Sequence, residues 1–259
     1  MNLGLDGCVA VVGGASSGMG RAIAEALAAE GCDVTLFARR QDVLEEAARE
    51  IEARGAGRAL AIAGDATDPA SLDRAVHGTR ERFGRIDILV NNTGGPPGGG
   101  FEQFGDDDWQ AAYELTVLSA VRLTRRALPA LRESGRGRIV NMTSSAVKEP
   151  NEGLMLSNAL RPAIVGWAKT LSQDEGGNGI TVNNIAPGYV DTSRLEYLYS
   201  LGDDPEGDRK RDEETIPAGR FGRPSEIGAA VVFLCSEQAA YINGITLLVD
   251  GGLARGLLS

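Results

Sequence analysis

Gly13-Gly14-Ala15-Ser16-Ser17-Gly18-Met19-Gly20 stands between an apolar run, Cys8–Val12, and a stretch in which Ala22, Ile23, Ala26 and Leu27 recur at helical spacing. Gly14, Gly18 and Gly20 follow the pattern GxxxGxG. A turn without β-carbons lets the backbone approach a pyrophosphate, and a helix that follows it directs a positive N-terminus at that anion. A glycine-rich turn means little alone. Here it has the strand before it and an amphipathic helix after it, running from about Gly18 to Ala29 with Gly31 as its stop. The segment therefore predicts a dinucleotide-binding βα unit.

Outward from this turn, short apolar runs alternate with longer amphipathic stretches along the chain, the pattern of βα units around a mostly parallel sheet. Strands are expected near Cys8–Val12, Asp33–Ala38, Ala59–Ala63, Ile86–Val90, Gly137–Met142, Ile180–Ile185 and Thr246–Val249. The fold class is thus α/β, a doubly wound, Rossmann-like sheet of seven strands in a single domain spanning 1–259. The second helix starts near Asp42, and Asp106–Leu131 reads as one long helix whose three leading aspartates suit a helix N-terminus. Gly94–Gly100 (GGPPGGG) and the charged stretch Leu201–Glu214 read as loops. In such a sheet, loops at the C-terminal strand ends surround the ligand crevice, so residues 191–216 are either a lid or a solvated loop.

Composition excludes several classes. A formal charge of -10 disfavours nucleic acid, and no window approaches the ~18 apolar residues of a membrane span. The segment Met1–Asp6 shows no secretion signal, so a cytoplasmic location is expected. Cys8, Cys32 and Cys235 read as buried thiols rather than a disulfide framework or metal site. His77, the only histidine, lies in a polar helical stretch, which leaves no histidine-based triad.

The cofactor type follows from charge. A carboxylate at the end of strand two would hold the ribose 2′-OH of NAD and repel the 2′-phosphate of NADP. This strand ends Phe37-Ala38-Arg39-Arg40, with two guanidiniums and no carboxylate, so NADP(H) is expected over NAD(H) unless Arg39 and Arg40 merely open a solvated helix.

Over essentially its whole length the chain resembles the short-chain dehydrogenase/reductase family. The matches are the glycine turn, with Gly13 where threonine is usual; Asp65, the family's adenine-contacting aspartate; Asn91-Asn92-Thr93-Gly94, similar to NNAG; Pro187-Gly188 with Thr192, similar to PGxxxT; and Val249-Asp250-Gly251-Gly252, similar to VDGG. The resemblance implies a cofactor set of Gly14, Ser16, Ser17, Gly18, Met19, Gly20, Arg39, Arg40, Asp65, Ala66, Asn91, Thr93, Gly94, Arg161, Pro187, Gly188 and Thr192, and no metal. It further implies a small-molecule substrate and a homotetramer or homodimer, with the Asp106–Leu131 and Asn158–Glu175 helices packed against their copies.

The family's proton-transfer residues are where the likeness fails. Ser144 matches the family serine, but the tyrosine position holds Ser157, the lysine position holds Arg161, and the helical asparagine position holds Thr116. Arg161 can donate to ribose hydroxyls and keep a positive charge beside the nicotinamide, yet a guanidinium with a pKa above ~12 does not give up its proton and cannot act as a proton carrier. Ser157 is shorter and far less acidic than tyrosine. Pro162 removes a helical N–H, which predicts that this helix starts later or bends near Arg161. Two other donors are candidates: Lys148, if partly buried rather than a surface loop residue, and Tyr189, unless it packs under the lid. The expected activity is NADP-dependent oxidoreduction of a carbonyl, hydroxyl or imine-like group by non-standard proton transfer. A non-redox lyase or isomerase and a decayed nucleotide-sensing or partner-binding protein are the alternatives.

Overall fold

The computed structural model of the chain describes residues 2–55, 57–200 and 202–256. Its strands are β1 (Val9–Gly13), β2 (Asp33–Ala38), β3 (Ala59–Ala63), β4 (Ile88–Asn91), β5 (Arg138–Met142), β6 (Thr181–Pro187) and β7 (Thr246–Val249). They form one parallel sheet in the order β3-β2-β1-β4-β5-β6-β7. The order reverses direction between β1 and β4, which opens a crevice at their C-terminal ends.

The central strands β1, β4, β5 and β6 are buried along their whole length, as a parallel sheet covered on both faces requires. On one face, α1 (Gly18–Ala29), α2 (Gln41–Ala53) and α9 (Pro224–Cys235) bury Ile23, Leu27, Leu44, Ile51, Ile227 and Val231. On the other, α3 (Pro69–Phe83), α5 (Ser119–Ser134) and α6 (Met155–Glu175) bury Leu72, Leu123, Ala127, Leu131 and Ala168. Cys8, Cys32 and Cys235 are free and buried in this interior. Among the described residues no helix is long and apolar enough to cross a membrane.

Polar residues run through the sheet as well. Asn91, Asn141 and Asn184 are in register on adjacent strands, and their amides form a ladder: Asn91 donates to Asn141 (2.8 Å), Asn141 to Asn184 (3.0 Å), and Asn184 to Thr246 on β7 (3.1 Å). Paired in this way the amides fix strand register, although the buried Asn91 Oδ1 at the head of the ladder accepts no hydrogen bond among the described residues.

Three sequence expectations change. The Asp106–Leu131 helix is divided: α4 (Asp106–Tyr113) and α5 flank a π-helical turn, Glu114–Leu118, where the Ser119 hydroxyl donates to the Leu115 carbonyl. The stretch read as a loop over Leu201–Glu214 is largely helical. Leu201 lies outside the described residues, but α7 (Ser193–Tyr199) and α8 (Pro205–Thr215) surround it. Asp204 caps α8 with Pro205 at its first turn, and Arg211 pairs with Asp204 and Asp208. Finally, α6 begins at Met155, well before Arg161, and passes through Pro162. Its first turn is fixed by tertiary contacts: the Asn158 side chain both accepts from the Asn151 N–H (3.1 Å) and donates to its carbonyl (2.8 Å), while Leu156 and Ser157 are buried.

Candidate active site

The glycine turn shows why its residues are small. Gly14 and Gly18 have φ of 60° and 56°, a left-handed conformation that glycine alone adopts without strain. A β-carbon on Gly20 would stand 2.3 Å from the Gly14 carbonyl oxygen, so α1 can meet the turn only with glycine there. Asn92 braces the turn from below by donating to the Gly13 carbonyl (3.0 Å). At the start of α1, Ser17 makes no side-chain cap and the first turn carries no acidic residue. Its N–H groups and positive end are therefore free for an anion, and the cradle fits a pyrophosphate. Ser16, Ser17 and Met19 lie on this turn, with Ser17 exposed and Met19 packed partly against the core.

At the end of β2, Arg39 and Arg40 are exposed and, among the described residues, in no ion pair with a carboxylate within 4.0 Å. Asp65 follows β3. Its carboxylate accepts from the N–H (2.8 Å) and hydroxyl (2.7 Å) of Thr67, which hold it below the usual range with help from Arg39, so it is a fixed anion beside Ala66.

After β4 the sequence assigns Asn91 to the cofactor, but its side chain turns into the sheet, donating to Asn141 and to Thr124 (2.9 Å). The amide that reaches the turn is that of Asn92, which sequence reasoning left out. Only the bracing distance reveals it, because both asparagines sit in the same motif. The Thr93 hydroxyl donates to the Leu115 carbonyl (3.4 Å) in the π turn, and Gly94 faces open space. Thr116, on that π turn, is buried with its hydroxyl unpaired among the described residues.

At the end of β6, a β-carbon on Gly188 would lie 2.8 Å from that of Asp250, which explains the glycine after Pro187. Thr192 then caps α7, and its methyl is 3.4 Å from where a Gly18 β-carbon would be. The Pro187–Thr192 segment thus reaches the glycine turn, closing the crevice from the β6 side.

The reacting half is built differently. Ser144 accepts from the Ala146 N–H (3.2 Å), which leaves its hydroxyl proton to donate. Arg161 is anchored on three oxygens: Nε donates to Ser157 Oγ (3.1 Å), and Nη1 to the carbonyls of Met142 (3.0 Å) and Thr143 (3.1 Å) at the end of β5. Only Nη2 is left for a ligand, so any role toward ribose or substrate falls to that nitrogen. Burial, and then the neighbouring Arg194, pull Arg161 down to about 10, still high enough for a full charge at neutral pH. Ser157 is held as the acceptor of a charged donor, which strengthens its own hydroxyl as a donor.

The two auxiliary proton donors fare unequally. Lys148 is exposed on the turn after Ser144, not partly buried. Tyr189 stacks on Phe221 with ring centroids 5.6 Å apart, beneath α8, and lines a cavity of about 280 Å³ together with Asp212, Thr215 and Arg255. Burial and the Asp212 carboxylate push its phenol up to about 12, so it is a poor acid at neutral pH. Its contacts, with Phe221 and with Asp212 of α8, are those of a packing residue. Arg194, absent from the sequence reading, reaches the crevice from α7 by donating to the Pro96 carbonyl (2.7 Å).

Known proteins share this fold along nearly the whole chain. The family model described as enoyl-(acyl carrier protein) reductase matches residues 14–254. The 3-oxoacyl-(acyl-carrier-protein) reductase FabG of Escherichia coli strain K12 is 36% identical over 251 residues, covering 97% of this chain and 99% of the relative. D-threitol dehydrogenase of Mycolicibacterium smegmatis is 37% identical over 249 residues, covering 96% and 93%. L-sorbose reductase of Gluconobacter frateurii, solved with NADPH and L-sorbose, superposes with a TM-score of 0.94 at 37% identity, covering 99% of this chain and 100% of that one. The chain belongs to the short-chain dehydrogenase/reductase family.

Proposed function

We propose that this member of the short-chain dehydrogenase/reductase family is an NADP(H)-dependent oxidoreductase of small carbonyl or hydroxyl compounds, working without the tyrosine and lysine its relatives use. The observation that carries the reading is the glycine cradle, in which a β-carbon on Gly20 would strike the Gly14 carbonyl at 2.3 Å while the helix end before it stays uncapped. Arg39 and Arg40 take the 2′-phosphate, Asp65 and Ala66 border the adenine, and Thr192 orients the carboxamide. When bound, NADP(H) supplies or accepts a hydride at the nicotinamide.

The protein's own groups manage the charge on the substrate oxygen. Ser144 donates its hydroxyl to that oxygen, and Arg161, clamped at the end of β5, provides a fixed positive field where negative charge develops during reduction. The proton arrives from solvent, with the Ser157 hydroxyl as relay. Catalysis thus leans on electrostatic stabilisation instead of a titrating acid. The segment 191–216, which carries α7 and α8, acts as the lid. Copies of the chain associate as a dimer or tetramer in the cytoplasm, where the free thiols of Cys8, Cys32 and Cys235 stay reduced. The test is loss of NADPH absorbance over a broad panel of ketones, keto acids and imines: consumption that depends on Ser144 supports the reading, and tight NADPH binding with no consumption of any panel member counts against it.

A further inference from the structure

The proposed function leaves one feature unexplained. Arg161 and Arg194 bring two guanidiniums to the same small volume: the Nη2 atoms of both lie 3.7 Å from the point a β-carbon on Gly95 would occupy. They are therefore within twice that distance of each other. Both side chains are half-buried, and among the described residues neither has a carboxylate within 4.0 Å. Among the described residues, Arg194 is held only by the Pro96 carbonyl (2.7 Å) and by the Tyr197 ring, 5.6 Å from its guanidinium. This is not for want of carboxylates, because acidic residues outnumber basic ones 36 to 26. Burying like charges side by side without a counter-ion is unfavourable, and both guanidiniums have their pKa lowered by burial. An anion between them would remove that penalty.

The cofactor's own anions have seats elsewhere. The uncapped start of α1 would hold the pyrophosphate, and the exposed Arg39 and Arg40 at the end of β2 would hold the 2′-phosphate. That strand is separated from β5, which anchors Arg161, by β1 and β4, or about 14 Å across the sheet at a spacing of ~4.8 Å per strand. Gly95, by contrast, follows the strand end where the crevice opens, and Ser144 adjoins Thr143, whose carbonyl holds Arg161.

We propose that Arg161 and Arg194 together form a carboxylate seat for the substrate, so that the enzyme acts on keto acids or the corresponding hydroxy acids, with the reacting oxygen left to Ser144. This rests on reading the crevice as the substrate site. A β-carbon at Gly95 would already be in van der Waals contact with both guanidiniums, 3.7 Å from each Nη2, so glycine leaves the most room beside them.

The test separates anion binding from turnover. Keto acids with different spacings between ketone and carboxylate, each beside its methyl ester, are titrated calorimetrically into protein saturated with NADP+. At least one acid should bind about ten-fold or more tightly than its ester, as charge-assisted hydrogen bonds imply. Arg194→Gln should erase that preference, Arg194→Lys should restore part of it, and NADP+ affinity should change less than about two-fold in both, each variant being checked by thermal melting. If no acid exceeds its ester, or if Arg194→Gln weakens NADP+ as much as the acid so that the anion is a cofactor phosphate, the seat is refuted. Because these are binding measurements, a protein that takes up keto acids but never consumes NADPH would overturn the reductase reading and leave the seat standing.

Discussion

The cofactor half and the reacting half of this crevice are specified by different kinds of physics. From β1 through β3, function rests on backbone: a left-handed turn, an uncapped helix and close approaches that only glycine permits, so few other residues can stand at Gly14, Gly18 and Gly20. From β5 through α7, the proposed chemistry rests on side chains that converge from separate elements, Ser144, Ser157, Arg161 and Arg194, held by hydrogen bonds rather than by backbone conformation. On the proposed reading, a dinucleotide fold keeps its binding chemistry while proton transfer is managed around the fixed charge of Arg161.

The largest effect should come from the half that tolerates least. Gly20→Val should weaken NADPH binding by about 100-fold or more, because displacing the Gly14 carbonyl disrupts the cradle. Fluorescence titration reads this directly, and a variant that folds and binds normally would remove the turn from the site. Next, Ser144→Ala should lower kcat by about 100-fold with NADPH affinity retained, the signature of a donor that acts on the reacting oxygen. An unchanged kcat would leave the rebuilt half without its central hydrogen bond.

Arg39→Glu with Arg40→Glu should shift the ratio of NADPH to NADH utilisation by about ten-fold or more toward NADH. Equal effects on both cofactors would mean that the pair is only a solvated helix start. Restoring the family pair through Ser157→Tyr with Arg161→Lys should raise neutral-ketone reduction by less than about ten-fold, since the clamp on the Met142 and Thr143 carbonyls is lost at the same time. A much larger gain would identify decay instead of a rebuilt mechanism.

The smallest effect belongs to Tyr189. Tyr189→Phe should leave kcat within about two-fold, and the wild-type pH–rate profile should show no ionisation of this phenol until pH nears about 12, because burial and Asp212 favour its neutral form. A basic limb near pH 10 that disappears in the phenylalanine variant would return Tyr189 to the proton pathway.

Much of the molecule was legible beforehand because period and punctuation carry it. All seven strands fall within about two residues of their expected positions, since runs such as Asp33–Ala38 and Ala59–Ala63 are apolar and bounded by turn residues. Helix α8 escaped because it has no buried residue and so no apolar period. Its signals were the Asp204-Pro205 start and the Arg211 pairs, which periodicity does not register. The π turn at Glu114–Leu118 and the early start of α6 depend on tertiary contacts and defeat local propensity. In the site, glycine spacing exposed the cradle, whereas Asn92 and Arg194 were invisible: nothing local says which of two adjacent asparagines faces the turn, or that an arginine two residues past Thr192 meets Arg161 across the fold.

Calorimetric titration of the wild-type protein with NADPH and with NADH tests the whole contrast most directly. NADPH should bind in the low-micromolar range or better, roughly, and about ten-fold or more tightly than NADH. Absence of binding heat and fluorescence change for both, under conditions where the protein is folded, contradicts the intact cofactor half on which everything at Ser144 and Arg161 depends.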